Sequence, residues 1–460
     1  MVLFLPSGKN SGSRPYLKKG LRSKPSNYRP VSLTCIPSKL MEHIICSQVR
    51  GHLDRQKILS RFQHGFRSKH SCESQLLITT HDISSLHDKD VQVDIGILDF
   101  SKAFDVVPHQ RLLNKLEFYG IVGKTHQWIK NFLTGRTQRV LVDGHLSAPA
   151  SVGSGVPQGT VLGPLLFLLY INDLPLMVSP GTRIRLFADD CLIYRPIRSA
   201  EDHIILQKDL NSVSRWAVEW GMAFNTSKCN VLSMNSSSHL FYSMSNDILQ
   251  EVDHATYLGI SFSKDLKWSN HINQVSKKAY QRLGFVRRNL KGAPKRSKST
   301  AYTSLIRPAM EYASPIWDPY LQKDISTLER VQRKAARWVK GDYTQQSSVT
   351  AMLKDLQWES LAARRKSAKL CMFHKIHNSE IELDFERDFN VSYSTRTTRA
   401  CSSISSEGII SSHKLHRLQA NKRQYQNSCI ISTVPAWNKL QVKQINLPYK
   451  QFKSQLVFKQ

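Results

Sequence analysis

The sequence predicts an α+β protein in which residues 25–264 mix strands with helices and the remainder is basic and helical. Two patterns carry that reading. Short β-branched runs that alternate apolar and polar residues, such as "VQVDIGILDF" (91–100) and "RLFADDCLIYR" (185–195), call for a half-buried sheet. Beyond about residue 265 the apolar positions recur instead every three or four residues, with Lys and Arg between them. The 460 residues, 40% hydrophobic and 9% aromatic, are enough chain for a substantial core and for two or three domains.

Along the chain, residues 7–30 are rich in Ser, Gly, Pro and Lys and read as an extended lead-in. A helix is predicted from Ser38, its N-cap, with Leu40, Ile44, Ile45, Val49 and Leu53 at helical spacing. Another follows "KHSCES", with Leu76, Leu77, Ile83 and Leu86 facing inward. The 91–100 run should end as a strand at Asp99. "PHQRLLNKLEFYG" opens with Pro108 and stops at Gly120, the asymmetry of a helix. "QRVLVDG" and "ASVGSGVPQG" predict a strand pair running into a Gly/Pro loop, and "TVLGPLLFLLYINDL" an apolar helix. The residues around Asp189 predict strand, turn and strand. A helix bearing Leu206, Leu210, Val213 and Trp216 then precedes a second hairpin-like stretch over 222–234. Downstream, Ile272, Val275, Ala279, Leu283 and Val286 form one helical stripe. Ile325, Leu328, Val331, Ala335 and Val339 form another, with Arg330, Arg333, Lys334, Arg337 and Lys340 off it. Residues 390–430 show weak periodicity, and order is not expected throughout them.

Charge is the first functional signal. Lys and Arg number 65 against 35 Asp and Glu, a formal net charge of +30. An excess of that size implies a polyanionic partner, most simply nucleic acid, whose phosphates bind cations through counterion release. The eight cysteines form no CxxC pair or Cys/His cluster, which suits reduced thiols in an intracellular protein. The longest apolar run, "GPLLFLLYI", is too short for a membrane helix, so no membrane partner is expected.

The acidic residues raise a sharper question. Asp189 and Asp190 sit side by side within an apolar run, where like charges repel and burial is costly. A third carboxylate, Asp99, ends a strand about ninety residues earlier. If the two strand ends meet, divalent cations would relieve the repulsion, and oxygen ligands without His or Cys favour magnesium over zinc.

Seven segments then become recognisable together. "SNYRPVSLTCIPSKLMEHII" and "QHGFRSKHSCESQLL" look like finger motifs, and "GILDFSKAFDVVPHQRLLNKL" like a first palm aspartate motif. "GVPQGTVLGPLLFLLYINDLP" is similar to a template–nucleotide loop and helix, and "LFADDCLIY" to a double-aspartate hairpin. "NTSKCNVLSM" and "ATYLGISF" resemble a lysine motif and a primer grip. In this order the set resembles the reverse transcriptases of jockey-like non-LTR retrotransposons.

The resemblance implies a right-hand polymerase: fingers and palm over 25–264 after a poorly ordered lead-in (1–24), a thumb-like helical region (265–345), and a basic, partly disordered extension (346–460). It implies that Asp99, Asp189 and Asp190, with the backbone carbonyl of Phe100, hold two Mg²⁺ ions, Mn²⁺ being the alternative. Phe104 would exclude a 2′-hydroxyl, and Gln158 and Gly159 would lie against the nucleotide. Arg67, with Arg29 as a second candidate, would meet the triphosphate, and Lys228 would protonate the leaving pyrophosphate. Tyr257, Leu258 and Gly259 would brace the primer end, while Asp105 reads as a local structural residue. The implied partners are an RNA template, a DNA primer and deoxynucleoside triphosphates, in a nuclear and cytoplasmic ribonucleoprotein.

The usual upstream endonuclease is not found, nor a zinc knuckle or ribonuclease H domain, so a truncated reading frame is expected. The first rival reading is an inactive remnant that only binds nucleic acid. The second is an intron-type maturase, which an intron-encoded DNA-binding or nuclease module would have favoured.

Overall fold

A computed structural model describes residues 10–17, 21–24, 27–236, 241–394 and 413–457. Part of the 390–430 stretch read above as weakly periodic thus lies outside the described residues. The first elements in chain order are β1 (Asn10–Leu17), β2 (Tyr28–Leu33), α1 (Ile36–Arg55), α2 (Cys72–Asp88), β3 (Gln92–Asp99), α3 (Ala103–Val106), α4 (His109–Phe118) and α5 (Gly123–Leu133). Next come β4 (Arg136–Val142), β5 (His145–Leu146), β6 (Ala150–Val152), α6 (Gly163–Tyr170), β7 (Arg183–Phe187), β8 (Asp190–Ile197) and α7 (Ala200–Glu219). They are followed by β9 (Asn230–Met234), β10 (Ser243–Met244), β11 (Asp247–Ile248), β12 (Gln250–Glu251), β13 (His254–Tyr257), β14 (Ile260–Ser263) and α8 (Ser269–Asn289). The remaining elements are helical.

Two compact units divide these elements. The first takes the described residues of Met1–Ser71, Asp94–Val231 and Ser238–Val252. The second takes those of Cys72–Val93, Leu232–Ser237 and Asp253–Gln460.

The first unit is built on a five-stranded sheet of order β12-β9-β3-β8-β7. The β7–β8 pair is antiparallel, with Phe187 opposite Asp190, and β12 runs parallel to β9. A second sheet joins β1 antiparallel to β2 and parallel to β4, so a strand forms inside the stretch read as a poorly ordered lead-in. Under the first sheet lies α6, whose Leu165, Leu166, Phe167, Leu168, Leu169 and Tyr170 are all buried. A helix apolar on every side belongs inside a core, as "GPLLFLLY" requires.

The N-terminus of a buried helix leaves N–H groups that water cannot reach. Here Glu42 meets them: its Oε2 accepts from Val161 N at 2.7 Å and Leu162 N at 3.1 Å, while Thr160 Oγ1 accepts from Gly163 N. This use of Glu42 corrects the reading of α1. Its buried face is Glu42, Cys46, Val49 and Leu53, whereas Leu40 and Ile44 stand 62% and 60% exposed. Ser38 is not the N-cap either. The helix starts two residues earlier, with Pro37 in its first turn, and Ser38 Oγ donates to Glu42 Oε1 at 3.4 Å.

The α4 face carries a buried cation. Lys115 Nζ donates to Tyr170 O and to Asp173 Oδ1, both at 2.5 Å, and lies 3.6 Å from the centre of the Trp220 ring. Burial pulls its pKa down to about 8 from 10.5, against the opposing pull of Asp173. Between those values the native ammonium releases its proton while the unfolded chain keeps it, so stability should rise with pH across that window. Chemical denaturation at pH 7.5 and 9.5 checks this. Lys115→Met should remove the rise.

In the second unit, β13 and β14 form a hairpin through Leu258 and Gly259, both at positive φ (45° and 80°). Leu258 pays for this left-handed backbone, and Tyr312 steadies it by donating its hydroxyl to Leu258 O at 3.0 Å. Gln75 Nε2 donates to the Tyr257 hydroxyl at 3.2 Å. Helix α8 and the helix Gln322–Lys340 realise the two predicted apolar stripes on basic helices: Ile272, Ala279, Leu283 and Val286 are buried on one, Leu328, Val331, Ala335 and Val339 on the other. Arg330, Arg333 and Lys334 remain exposed. Trp317 is a packing residue, fully buried with its indole N–H on Tyr312 O. Among the described residues no helix is long and apolar enough to cross a membrane.

The 222–234 stretch is not a hairpin. Phe224 bridges to Phe100, residues 226–228 form a 3-10 turn, and only Asn230–Met234 is a strand. Alternation was present there, but both candidate arms pair with other parts of the chain.

Candidate active site

The two acidic strand ends open on one cleft. Asp99 closes β3, Asp189 lies in the turn between β7 and β8, and both line one cleft of about 760 Å³ in the first unit. The adjacency of β3 and β8 in the sheet is what brings them there. The turn itself is Ala188–Asp189, since Phe187 pairs with Asp190. Asp190 is therefore the first residue of β8, exposed and not among the cleft-lining residues.

Phe100, Phe104, Gln158, Gly159 and Lys228 line the same cleft. Phe100 is 4% exposed and stacks on Phe224 with ring centres 4.1 Å apart. Phe104 stacks on Phe167 at 4.3 Å, which fixes its ring as a wall. Lys228 Nζ donates to Asp99 Oδ2 at 2.8 Å, both side chains being partly exposed (42% and 33%).

The Gly/Pro loop that follows β6 is held by backbone and small-residue contacts. Gly155 has φ 89°, and a Cβ there would come within 2.7 Å of Asp105 O. Gly159, at φ 91°, lies so close to Ser32 and Val31 that a side chain would crowd both. Gln158 donates its amide to Asp105 Oδ1 at 2.9 Å, so Asp105 is the structural partner that orients it. Burial raises the Asp105 pKa, and the Gln158 hydrogen bond, Lys102 and Arg29 partly offset that effect.

Arg67 stands elsewhere. It is not among the cleft-lining residues, and its Nη1 donates to Ser60 O at 2.7 Å and Gln63 O at 3.3 Å. Arg29 does line the cleft, as does Lys102, which the sequence reading passed over. Phe66 was missed as well. It is 48% exposed, borders the cleft, and meets Phe104 edge to face. Lys102 (φ 47°) and Phe66 (φ 54°) share the left-handed backbone that costs non-glycine residues energy and gathers at functional sites. Dihedral strain leaves no mark in a sequence. Tyr257, Leu258 and Gly259 belong to the second unit, in the hairpin described above.

Among the described residues no three His, Cys, Asp or Glu side chains form a metal-holding group. The donor set nonetheless fits magnesium, which is commonly held by one or two carboxylates and completed by substrate phosphates and water. Carboxylates beside cations and a flat aromatic wall suit a metal-bound polyphosphate ligand.

Comparison with known proteins agrees. The chain belongs to the reverse transcriptase family: residues 16–262 match the family described as reverse transcriptase (RNA-dependent DNA polymerase). Its similar proteins include polymerases of jockey-like elements. It is 30% identical over 334 residues to a Drosophila melanogaster protein named "Probable RNA-directed DNA polymerase from transposon BS", covering 68% of this chain and 36% of that one. It is 29% identical over 331 residues to the RNA-directed DNA polymerase from mobile element jockey of the same species, again 68% of this chain and 36% of the relative. The chain thus spans about a third of the length of these relatives. Among solved structures it is similar to an apo telomerase from Candida tropicalis, with a TM-score of 0.46, 10% identity, and 84% and 70% of the two chains covered.

Proposed function

We propose that this chain is an RNA-directed DNA polymerase that extends a DNA primer on an RNA template with deoxynucleoside triphosphates. One observation carries the proposal: Asp99 and Asp189, ninety positions apart, line a single cleft with Phe104, Gln158 and Lys228. Asp99 and Asp189 would be the principal Mg²⁺ ligands, with the Phe100 carbonyl and Asp190 supporting, and Mn²⁺ as the alternative ion. When bound, the metal supplies charge neutralisation for the triphosphate and an acidified primer 3′-hydroxyl.

The protein's own groups do the positioning. Gln158, oriented by Asp105, offers its side-chain Oε1 to the nucleotide or template. Arg29 and Lys102 meet the triphosphate, and Arg67 joins them only by leaving the Ser60 and Gln63 carbonyls. Lys228 is the proton donor to departing pyrophosphate. Tyr257, Leu258 and Gly259 form the primer grip. Fingers and palm extend over 25–264, a thumb over 265–345, and a basic extension over 346–460, with exposed cations such as Arg330, Arg333 and Lys334 holding the duplex through its phosphates. The setting is a ribonucleoprotein in nucleus and cytoplasm.

The test is extension of an oligo(dT) primer on an RNA template in Mg²⁺, with Asp189→Asn as control. Product well above the control supports the polymerase. Equal signals, with RNA binding retained, favour an inactive nucleic-acid-binding remnant. A second prediction concerns Phe104. A ring pinned against Phe167 leaves no room beside the sugar, so Phe104→Ala should raise ribonucleotide incorporation relative to deoxynucleotide by at least about tenfold. Competition between the two nucleotides in single-addition assays measures it.

A further inference from the structure

The turn that carries Asp189 is short, strained and at the end of an edge strand. Ala188 has φ 54°, a left-handed backbone that residues with a Cβ rarely adopt. A turn of this kind persists only when its surroundings hold it. Among those surroundings, one side chain bonds the backbone on both sides of Ala188. Gln63 Oε1 accepts from Ala188 N at 2.8 Å, and Gln63 Nε2 donates to Ala188 O at 3.3 Å. A single amide thereby engages the two peptide planes on either side of Ala188. The second of those planes leads directly into Asp189.

Gln63 is itself held. Its Oε1 also accepts from Gly65 N at 2.8 Å, and the residue is 2% exposed. Residues 62–64 lie along the free edge of β7: Leu186 N donates to Phe62 O and His64 N to Leu186 O, both at 2.9 Å. Gly65 then passes so close to the turn that a Cβ there would sit 2.3 Å from Ala188 N. Behind this segment, Asn172 Oδ1 accepts from Ser60 N and Asn172 Nδ2 donates to Ile58 O, both at 2.8 Å, which ties the loop to the residues following α6. The chain of contacts runs from the core, through a finger segment, to a palm carboxylate.

We infer that Gln63 is a positioning residue: its amide sets the orientation of the Ala188–Asp189 peptide, and with it the carboxylate that the proposed reaction needs. The inference rests on the polymerase reading for its effect on turnover, but the clamp itself does not.

Two variants and two readouts test it. Gln63→Met keeps the length and removes the side-chain hydrogen bonds, whereas Gln63→Glu keeps an acceptor for the Ala188 and Gly65 amides. In the metal-free protein, hydrogen exchange of the 183–192 segment should speed up in Gln63→Met and much less in Gln63→Glu. In primer extension, Gln63→Met should lose about 10²-fold in kcat, the scale of an ångström-sized misplacement. It should also need more Mg²⁺ for half-maximal rate, while Gln63→Glu should recover part of both. A packing role predicts the reverse order, because a buried carboxylate is harder to accommodate than a thioether. Unchanged exchange in Gln63→Met, or a Met variant at least as active as the Glu variant, overturns the inference. Should the wild-type chain fail to extend a primer, the polymerase reading fails, and exchange alone decides the clamp.

Discussion

Asp99→Asn and Asp189→Asn should each lower primer extension by at least about 10³-fold while leaving RNA–DNA duplex binding within a fewfold of wild type. The asparagine is isosteric and keeps a carbonyl oxygen, but it removes the charge that, under the proposed function, would draw a divalent cation and the triphosphate together. Asp190→Asn should cost less, because Asp190 begins β8 and is not among the residues lining the cleft. Single-turnover addition at saturating nucleotide, paired with filter binding of the duplex, separates the two effects. Asp99→Asn has a further consequence: it removes the anionic partner of Lys228, whose ammonium is 2.8 Å from Asp99 Oδ2. Equal losses from all three substitutions would contradict the ranking drawn from the cleft.

The largest stability effect should come from Glu42. Its carboxylate accepts two N–H groups at the start of α6, and the residue is completely buried. Glu42→Ala leaves those donors without partners in an interior that water does not reach, at a cost of about 3 kcal/mol. For a unit of this size that corresponds to a drop of roughly 6–12 °C in Tm. Glu42→Gln keeps an acceptor and loses mainly the favourable charge at the helix N-terminus, about 1 kcal/mol. Calorimetry on both variants measures the difference. Because Val161 and Leu162 follow directly on the loop that carries Gln158, Glu42→Ala should also raise the KM for nucleotide.

The legible and illegible parts of the molecule divide by the kind of force that made them. Strand β3 and the 183–197 hairpin show alternation and turn-forming residues in their own sequence, so Asp99 and Asp189 could be assigned to strand ends. Their meeting in one cleft depends on β3 and β8 being neighbours, which periodicity does not encode and the family resemblance supplied. Helix α1 misleads because Leu40 and Ile44 form as good a stripe as the buried one. Only Glu42, a charge on the same face as Cys46, Val49 and Leu53, hinted at a buried acceptor role. Arg67 reads as a phosphate ligand by type, and in the structure its Nη1 donates to the Ser60 and Gln63 carbonyls. Gln63 is invisible for a related reason: a side chain that binds main-chain atoms has no partner residue whose identity would betray it.

The covering of the β7 edge by residues 62–64 also bears on assembly. The β7 edge closes against a segment more than a hundred residues earlier in the chain, a contact of long sequence separation, the kind that slows folding. Until it closes, β7 shows an unpaired ladder to other chains, and shortened versions that begin beyond residue 65 keep it open permanently. Such fragments should aggregate during expression however intact their aspartates are.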